Sequence, residues 1–264
     1  MSVLIVIPAR FASTRYPGKP LVALTGATGE KRTLIERSWR AGRAVQGVDR
    51  VVVATDDERI KDAAESFGAE VVMTSVDCAN GTERCAEALV NAGLEAELVV
   101  NFQGDAPLTP SWFVADLIAA MQTAPEMDVA TPVLRCDHAT LASFRADRQA
   151  GRVGGTTAVF GTSNEALYFS KEVIPYSDQA ALEAQVPVFH HVGVYAFRRA
   201  ALLAYPDLPV GTLERLEGLE QLRFLENGHR VKCVEVDARG RIFWELNNPT
   251  DVPLIEAELQ KDLA

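Results

Sequence analysis

Apolar residues along this chain come in short, nearly unbroken runs rather than in strict alternation. Val3–Ile7, Val51–Ala54, Glu70–Met73 and Leu98–Phe102 each read as a strand. Helical patterns follow them at Leu34–Val45, Asp57–Phe67, Thr82–Ala92 and Ser111–Met121. An unbroken apolar strand is buried on both faces, and strands alternating with helices predict an α/β fold, a mostly parallel central sheet with helices on both faces. In such sheets ligands bind beyond the carboxyl ends of the strands, where Arg10, Asp56, Thr74 and Asp105 fall. The second half is patterned differently. Thr157–Phe160, Leu167–Ser170 and Val192–Phe197 are strand candidates with irregular helical spacing around them, and a Pro/Asp/Gln-rich loop runs from Pro175 to Val188. This half is expected to be a smaller antiparallel lobe, covering substrate or forming a dimer surface. Leucine at every third position from Leu213 to Leu225 predicts one helix whose apolar stripe winds by roughly 60° per repeat. Glu214, Glu217 and Glu220 wind with it, so at least one should face the interior.

Charge changes this picture more than composition does. The 264 residues are 48% hydrophobic and 23% charged, which is ordinary for a globular chain, and the net charge of −10 argues against nucleic acid and anionic membranes as partners. Residues 1–50 nevertheless hold nine Lys/Arg against three Asp/Glu, so they carry +6 and the remainder −16. A local basic region in an acidic protein predicts a small anionic ligand. Cys78, Cys85, Cys136 and Cys233 show no C-x-x-C pair and read as reduced, mostly buried thiols. With no charged leader and no long apolar segment, the expectation is a soluble cytoplasmic protein.

The candidate chemistry begins after the first strand. Arg10, Arg15 and Lys19 are separated by small and hydroxyl residues, a pattern that brings cations and backbone N–H groups to a polyanion such as a triphosphate. It is neither a P-loop nor a dinucleotide fingerprint. Gln103-Gly104-Asp105 closes another strand, and Asp105 there either forms a turn or holds Mg²⁺ against phosphate oxygens. Thr109 is expected to cap the next helix, with Pro110 at its first position. Asn80-Gly81-Thr82 reads as a helix start whose amide and hydroxyl could meet a base edge. His190-His191 lack further ligands for a metal, while strand alternation puts His191, Gly193 and Tyr195 on one face, with Glu220 and Gln221 offered from the later helix to a polar substrate.

Six stretches together resemble one family. Ile7-Pro8-Ala9-Arg10-Phe11-Ala12-Ser13-Thr14-Arg15-Tyr16-Pro17-Gly18-Lys19-Pro20-Leu21 is similar to the nucleotide loop of 3-deoxy-manno-octulosonate cytidylyltransferases, the CMP-Kdo synthetases. Val53–Asp57, Gly81–Arg84, Gln103–Asp105, Ala166–Ser170 and Leu219–Arg223 resemble that family in the same order. The resemblance implies a single nucleotidyltransferase domain. Its nucleotide-binding part would span about residues 1–130, its sugar-binding and dimerisation lobe 131–230, and its C-terminal return 231–264. It implies formation of CMP-Kdo and pyrophosphate from CTP and Kdo with Mg²⁺, for lipopolysaccharide or capsule synthesis, by a homodimer. Pro8, Ala9, Arg10, Ser13, Arg15, Lys19, Thr82, Arg84 and Gln103 would hold the nucleotide. Arg15, Lys19 and Asp105 would act in catalysis. His191, Tyr195, Glu220 and Gln221 would bind the sugar acid, and Asp105 with Asn247 would hold the metal.

The chain also departs from the family. Ala106 replaces a glutamate, Asn247 replaces an aspartate that is the second metal ligand, Ala158 replaces a lysine and His190 an arginine. Two alternatives follow: CMP transfer to a different 2-keto-3-deoxy sugar acid, or a nucleotide-binding paralogue without turnover.

Overall fold

The computed structural model describes every residue except Thr14, Arg15, Gly154, Gln179–Leu182, Ala184, Ile242 and Ala264. The chain divides into two compact units. One comprises Met1–Ala115, Phe197–Pro206 and Ala238–Ala264, the other Asp116–Ala196 and Asp207–Asp237.

The first unit is built on four parallel strands in the order β5 (Glu70–Met73), β4 (Arg50–Thr55), β1 (Val3–Ala9), β6 (Leu98–Asn101). All seven residues of β1 are buried. Successive side chains point to opposite faces, so both faces of this strand are covered. That is why the sequence reads as a continuous apolar run, and why Ile5→Ala would cost about 2–5 kcal/mol. Helices α1 (Leu34–Arg43), α2 (Glu58–Ser66) and α3 (Gly81–Asn91) supply the cover. Each begins where a side chain takes an orphan backbone N–H: Thr33 from Glu36, Asp57 from Arg59, Asn80 from Glu83. A small hairpin, β2 (Ala23–Thr25) with β3 (Lys31–Thr33), lies between β1 and α1 in the chain. The C-terminal segment returns to this hairpin: Leu246, Ile255 and Leu259 form one buried cluster with Leu24 and Leu34.

The division falls inside α4 (Ser111–Thr123), earlier than residue 130. Helix α4 starts at Ser111, and Thr109 does not cap it, since its hydroxyl is buried with no hydrogen-bond partner.

The second unit holds β7 (Val129–Arg135), β8 (Thr156–Phe160), β9 (Ala166–Ser170) and β10 (Phe189–His191), paired antiparallel in the order β7-β10-β8-β9. Helix α5 (His138–Gln149) lies between β7 and β8 in the chain. The expected strand over Val192–Phe197 is interrupted. Val194 N–H turns back to the Val192 carbonyl at 2.7 Å, so β10 stops at His191 and β11 (Tyr195–Arg198) begins four residues later. Beyond it α6 (Arg199–Ala204) belongs to the first unit and packs on α3.

The expected helix over Leu213–Leu225 is two. Gly218 at φ 61° ends α7 (Thr212–Glu217), and α8 (Gln221–Glu226) restarts after it. A left-handed glycine is the commonest way to stop a helix, and the leucine spacing passes straight through it. The inward glutamates are found as anticipated. Glu214 is buried and ion-paired to Arg223, and Glu217 accepts from Ser170 Oγ (2.6 Å), Tyr168 OH (3.2 Å) and Lys171 N (2.8 Å). Strand β12 (Val231–Glu235) pairs parallel with β7, so the C-terminal return begins at 238 rather than 231.

Candidate active site

Four groups expected at the strand ends stand there. Arg10 follows β1, Asp56 follows β4, Thr74 follows β5, and Asp105 lies four residues past β6. Beyond Pro8 and Ala9 the backbone leaves the sheet. Gly18 N–H then meets the Phe11 carbonyl at 2.9 Å, and Ser13 Oγ accepts the Tyr16 N–H at 3.4 Å. Arg15 lies outside the described residues.

Lys19 opens a short 3₁₀ turn and reaches back to β6's loop. Its Nζ donates to Asp105 Oδ2 at 2.5 Å and to the Leu246 carbonyl at 3.0 Å. Leu246 N–H in turn donates to the Asp105 carbonyl at 2.9 Å. One residue of the C-terminal return thus ties cation and carboxylate together, and its own side chain is fully buried. Sequence reasoning named Lys19 and Asp105 but missed Leu246, because a backbone carbonyl leaves no mark on residue type.

Arg84 is brought to Asp56 and Thr74. Its guanidinium donates to Asp56 Oδ2 at 2.8 Å and to Thr74 Oγ1 at 2.5 Å, and both charged side chains are more than nine-tenths buried. Thr82 is buried in the first turn of α3. Gly81 sits in a tight spot: a Cβ there would stand 3.3 Å from Asn101 Nδ2 and Pro8 Cγ and 3.4 Å from Gln103 Nε2. Pro8, Gly81, Asn101 and Gln103 therefore converge on one spot. Asn101 is fully buried with neither amide atom partnered, a feature sequence reasoning passed over.

The two residues that the resemblance offers to a metal differ in charge and partners. Asp105 carries the charge and receives the Lys19 ammonium, whereas Asn247 is neutral, with its N–H on Asp251 Oδ2 at 2.9 Å. Among the described residues no group of three or more His, Cys, Asp or Glu could hold a metal by itself. Mg²⁺ usually takes one or two carboxylates together with phosphates and water. This donor set fits an ion that arrives with a triphosphate, and Lys19's ammonium marks where positive charge is held. Ala106, in place of glutamate, is buried and adds no donor.

In the second unit His191, Tyr195 and Gln221 come together. The His191 and Tyr195 rings are 5.6 Å apart, and Tyr195 OH donates to Gln221 Oε1 at 3.0 Å. Glu220 stands beside Gln221 at the head of α8. His191 Nε2 is 2.9 Å from Thr131 Oγ1, which also lies near the Val192 and Val194 carbonyls. Thr131 has a single proton for these three neighbours, and the ring nitrogen donates to its oxygen or accepts from it according to the imidazole tautomer. Burial, with a smaller contribution from neighbouring His190, pushes His191 down to about 3, so the ring is neutral at physiological pH. Burial also pushes His190, edge-on to Phe144, down to about 4. Ala158 is fully buried opposite Phe189. All four cysteines are free, and burial raises Cys78 to about 12, which leaves it an inert thiol.

A family model described as cytidylyltransferase matches residues 4–232. The chain belongs to the cytidylyltransferase family. It is 45% identical to the 3-deoxy-manno-octulosonate cytidylyltransferase of Maricaulis maris, over 97% of this chain and 96% of that one. It is 37% identical to the 8-amino-3,8-dideoxy-manno-octulosonate cytidylyltransferase of Shewanella halifaxensis, over 99% of this chain and 100% of the relative. A solved CMP:2-keto-3-deoxy-manno-octonic acid synthetase complexed with CTP superposes with a TM-score of 0.84 at 32% identity, covering 99% of this chain and 100% of that one. This cytidylyltransferase is a nucleotidyltransferase by fold and family, with the expected parallel sheet and antiparallel lobe. No helix among its described residues is long and apolar enough to cross a membrane.

Proposed function

We propose that this cytidylyltransferase forms CMP-Kdo and pyrophosphate from CTP and 3-deoxy-manno-octulosonate in an Mg²⁺-dependent reaction. The junction of Lys19, Asp105 and Leu246 carries the reading: a cation and a carboxylate held 2.5 Å apart at the strand ends, where a metal-bound triphosphate needs both. In the reaction the sugar's anomeric oxygen bonds to the α-phosphorus while the bond to the bridging oxygen of pyrophosphate breaks, and the hydroxyl proton is lost. Little covalent work falls to the protein, so positioning and charge set the rate. Arg10, Ser13, Arg15 and Lys19 grip the triphosphate, with Arg15 and Lys19 countering charge on the leaving group. Pro8, Ala9, Thr82 and Gln103 surround the cytidine, and Arg84 does so through the wall it builds with Asp56 and Thr74. Asp105 and the side-chain carbonyl of Asn247 hold Mg²⁺, which when bound neutralises phosphate charge. His191, Tyr195, Glu220 and Gln221 bind the sugar acid through neutral hydrogen bonds and one carboxylate. The enzyme works as a cytoplasmic homodimer and supplies lipopolysaccharide or capsule synthesis; a monomer in sedimentation at micromolar concentration would refute the dimer.

The test is pyrophosphate release from CTP, Mg²⁺ and Kdo. Release that requires Kdo and collapses in Asp105→Ala is the expected result, and CTP binding without release overturns the choice of acceptor. A second reading keeps the reaction and changes the sugar acid. Ala158 and the neutral His190 stand where the family resemblance puts a lysine and an arginine, which leaves less positive charge for an anionic acceptor. A panel of 2-keto-3-deoxy acids, one bearing an amine, decides between the two by kcat/KM.

A further inference from the structure

The loop that carries Arg10, Ser13 and Lys19 is closed by a ring with no reactive group. Besides the Gly18 N–H bond to its carbonyl, Phe11 fills the space beside Gly18: at φ +70° that glycine has its hypothetical Cβ only 3.0 Å from Phe11 Cζ. The ring is also met from α2. Arg59 lays its guanidinium carbon 3.4 Å from the Phe11 centroid. Arg59 is in turn locked by Asp57, through Nε at 2.9 Å, Nη2 at 2.7 Å and its backbone N–H at 2.9 Å. Nothing buries this arginine, whose side chain is 62% exposed. An exposed, flexible side chain has entropy to lose by holding one pose, and this one spends its charge on an aromatic ring in the nucleotide loop.

We infer that Asp57, Arg59 and Phe11 form a positioning clamp that presets the loop before nucleotide arrives. Arg59 acts through Phe11, and nucleotide affinity depends on it because Phe11 and Gly18, once held in place, have less order to gain on binding. This inference rests on reading residues 10–19 as the triphosphate loop.

The test is CTP binding with Mg²⁺ and no acceptor, measured by calorimetry on the wild type, Arg59→Ala, Arg59→Lys, Phe11→Leu and the Arg59→Ala/Phe11→Leu double variant. Each of the two stack-breaking single variants is expected to weaken binding about two- to fivefold, the range an exposed cation–π contact supplies. The double variant should be no weaker than Phe11→Leu alone, and Arg59→Lys should recover part of the loss. At saturating CTP, kcat should stay unchanged while KM for CTP rises, with melting temperatures unaltered. Wild-type affinity in Arg59→Ala, or losses that multiply in the double variant, overturns the clamp. So does a loss above tenfold in Arg59→Ala with Phe11→Leu intact, because Arg59 would then touch nucleotide directly. A wild type that binds CTP but releases no pyrophosphate with any sugar acid defeats the proposed reaction and leaves this comparison standing.

Discussion

The two units hold their candidate residues by opposite means. In the first, opposite charges meet directly: Lys19 on Asp105 and Arg84 on Asp56. In the second, the residues offered to the acceptor are joined as neutral groups, His191 to Thr131 and Tyr195 to Gln221. The second unit's own buried ion pair, Glu214 with Arg223, links α7 to α8 instead. The difference teaches where charge is needed. In the proposed reaction a triphosphate brings several negative charges to be neutralised, whereas the sugar acid brings a single carboxylate and a pattern of hydroxyls. Charge-removing variants should therefore be severe in one unit and mild in the other.

The largest effect should follow from Lys19→Ala. If Lys19 counters the leaving-group charge as proposed, its loss is expected to lower kcat/KM by on the order of a hundred- to a thousandfold in the pyrophosphate assay. Gln221→Ala should instead raise KM for the acceptor and spare CTP binding. If both variants fail in the same parameter, the contrast between units is lost. Next comes Arg84→Ala, which strands a buried Asp56 and should destabilise the fold by about 3–5 kcal/mol in urea unfolding. Glu70→Ala breaks the solvent-exposed Arg50 pair and should cost under about 1 kcal/mol.

Asn247→Asp should lower the Mg²⁺ concentration needed for half-maximal activity severalfold, since a second carboxylate adds charge to the metal pair. An unchanged Mg²⁺ titration would remove residue 247 from the ligand set. A further effect concerns pH. His191 has an ordinary value of 6.5 and is pushed down to about 3 when folded. Between these values the unfolded chain binds a proton that the folded chain refuses, so stability is full above about 6.5 and declines as pH falls towards 3. His191→Gln should flatten that decline in thermal melts taken from pH 7 to 4. A slope identical to the wild type would show that other groups carry it.

Much of the first unit was legible because its strands are buried on both faces. Val51–Ala54 announces itself by lacking polar residues altogether, and Leu98–Phe102 carries just one, Asn101. The cap at Asn80 was equally readable, since it sits just before a helical pattern, whereas Asp57, read as the first helical residue, proves to be the cap of α2. The second unit hid more. Strands β7 and β12 pair in parallel though they are separated by about a hundred residues of sequence, and no local pattern joins them. Gly218 breaks a leucine period that gives no warning of the break. In the site, Lys19 and Asp105 could be found by chemistry, and Asn247 only through the family resemblance. Asp56 and Arg84 were each singled out, but their pairing was invisible because they are 28 residues apart and no local pattern joins them. Thr109 looked like a cap by type, yet α4 starts two residues later and leaves its hydroxyl unused.

The strap at Leu246 also sets an order of events in time. Lys19 and the carbonyl that holds it are 227 residues apart, and the whole second unit is synthesised between them. A growing chain therefore carries its ammonium and its aspartate long before it can fix them in register. Closing a loop of that length costs chain entropy before its contacts repay it. A nascent chain stopped short of residue 246 would carry both charges of the junction without the carbonyl that the finished chain gives to Lys19.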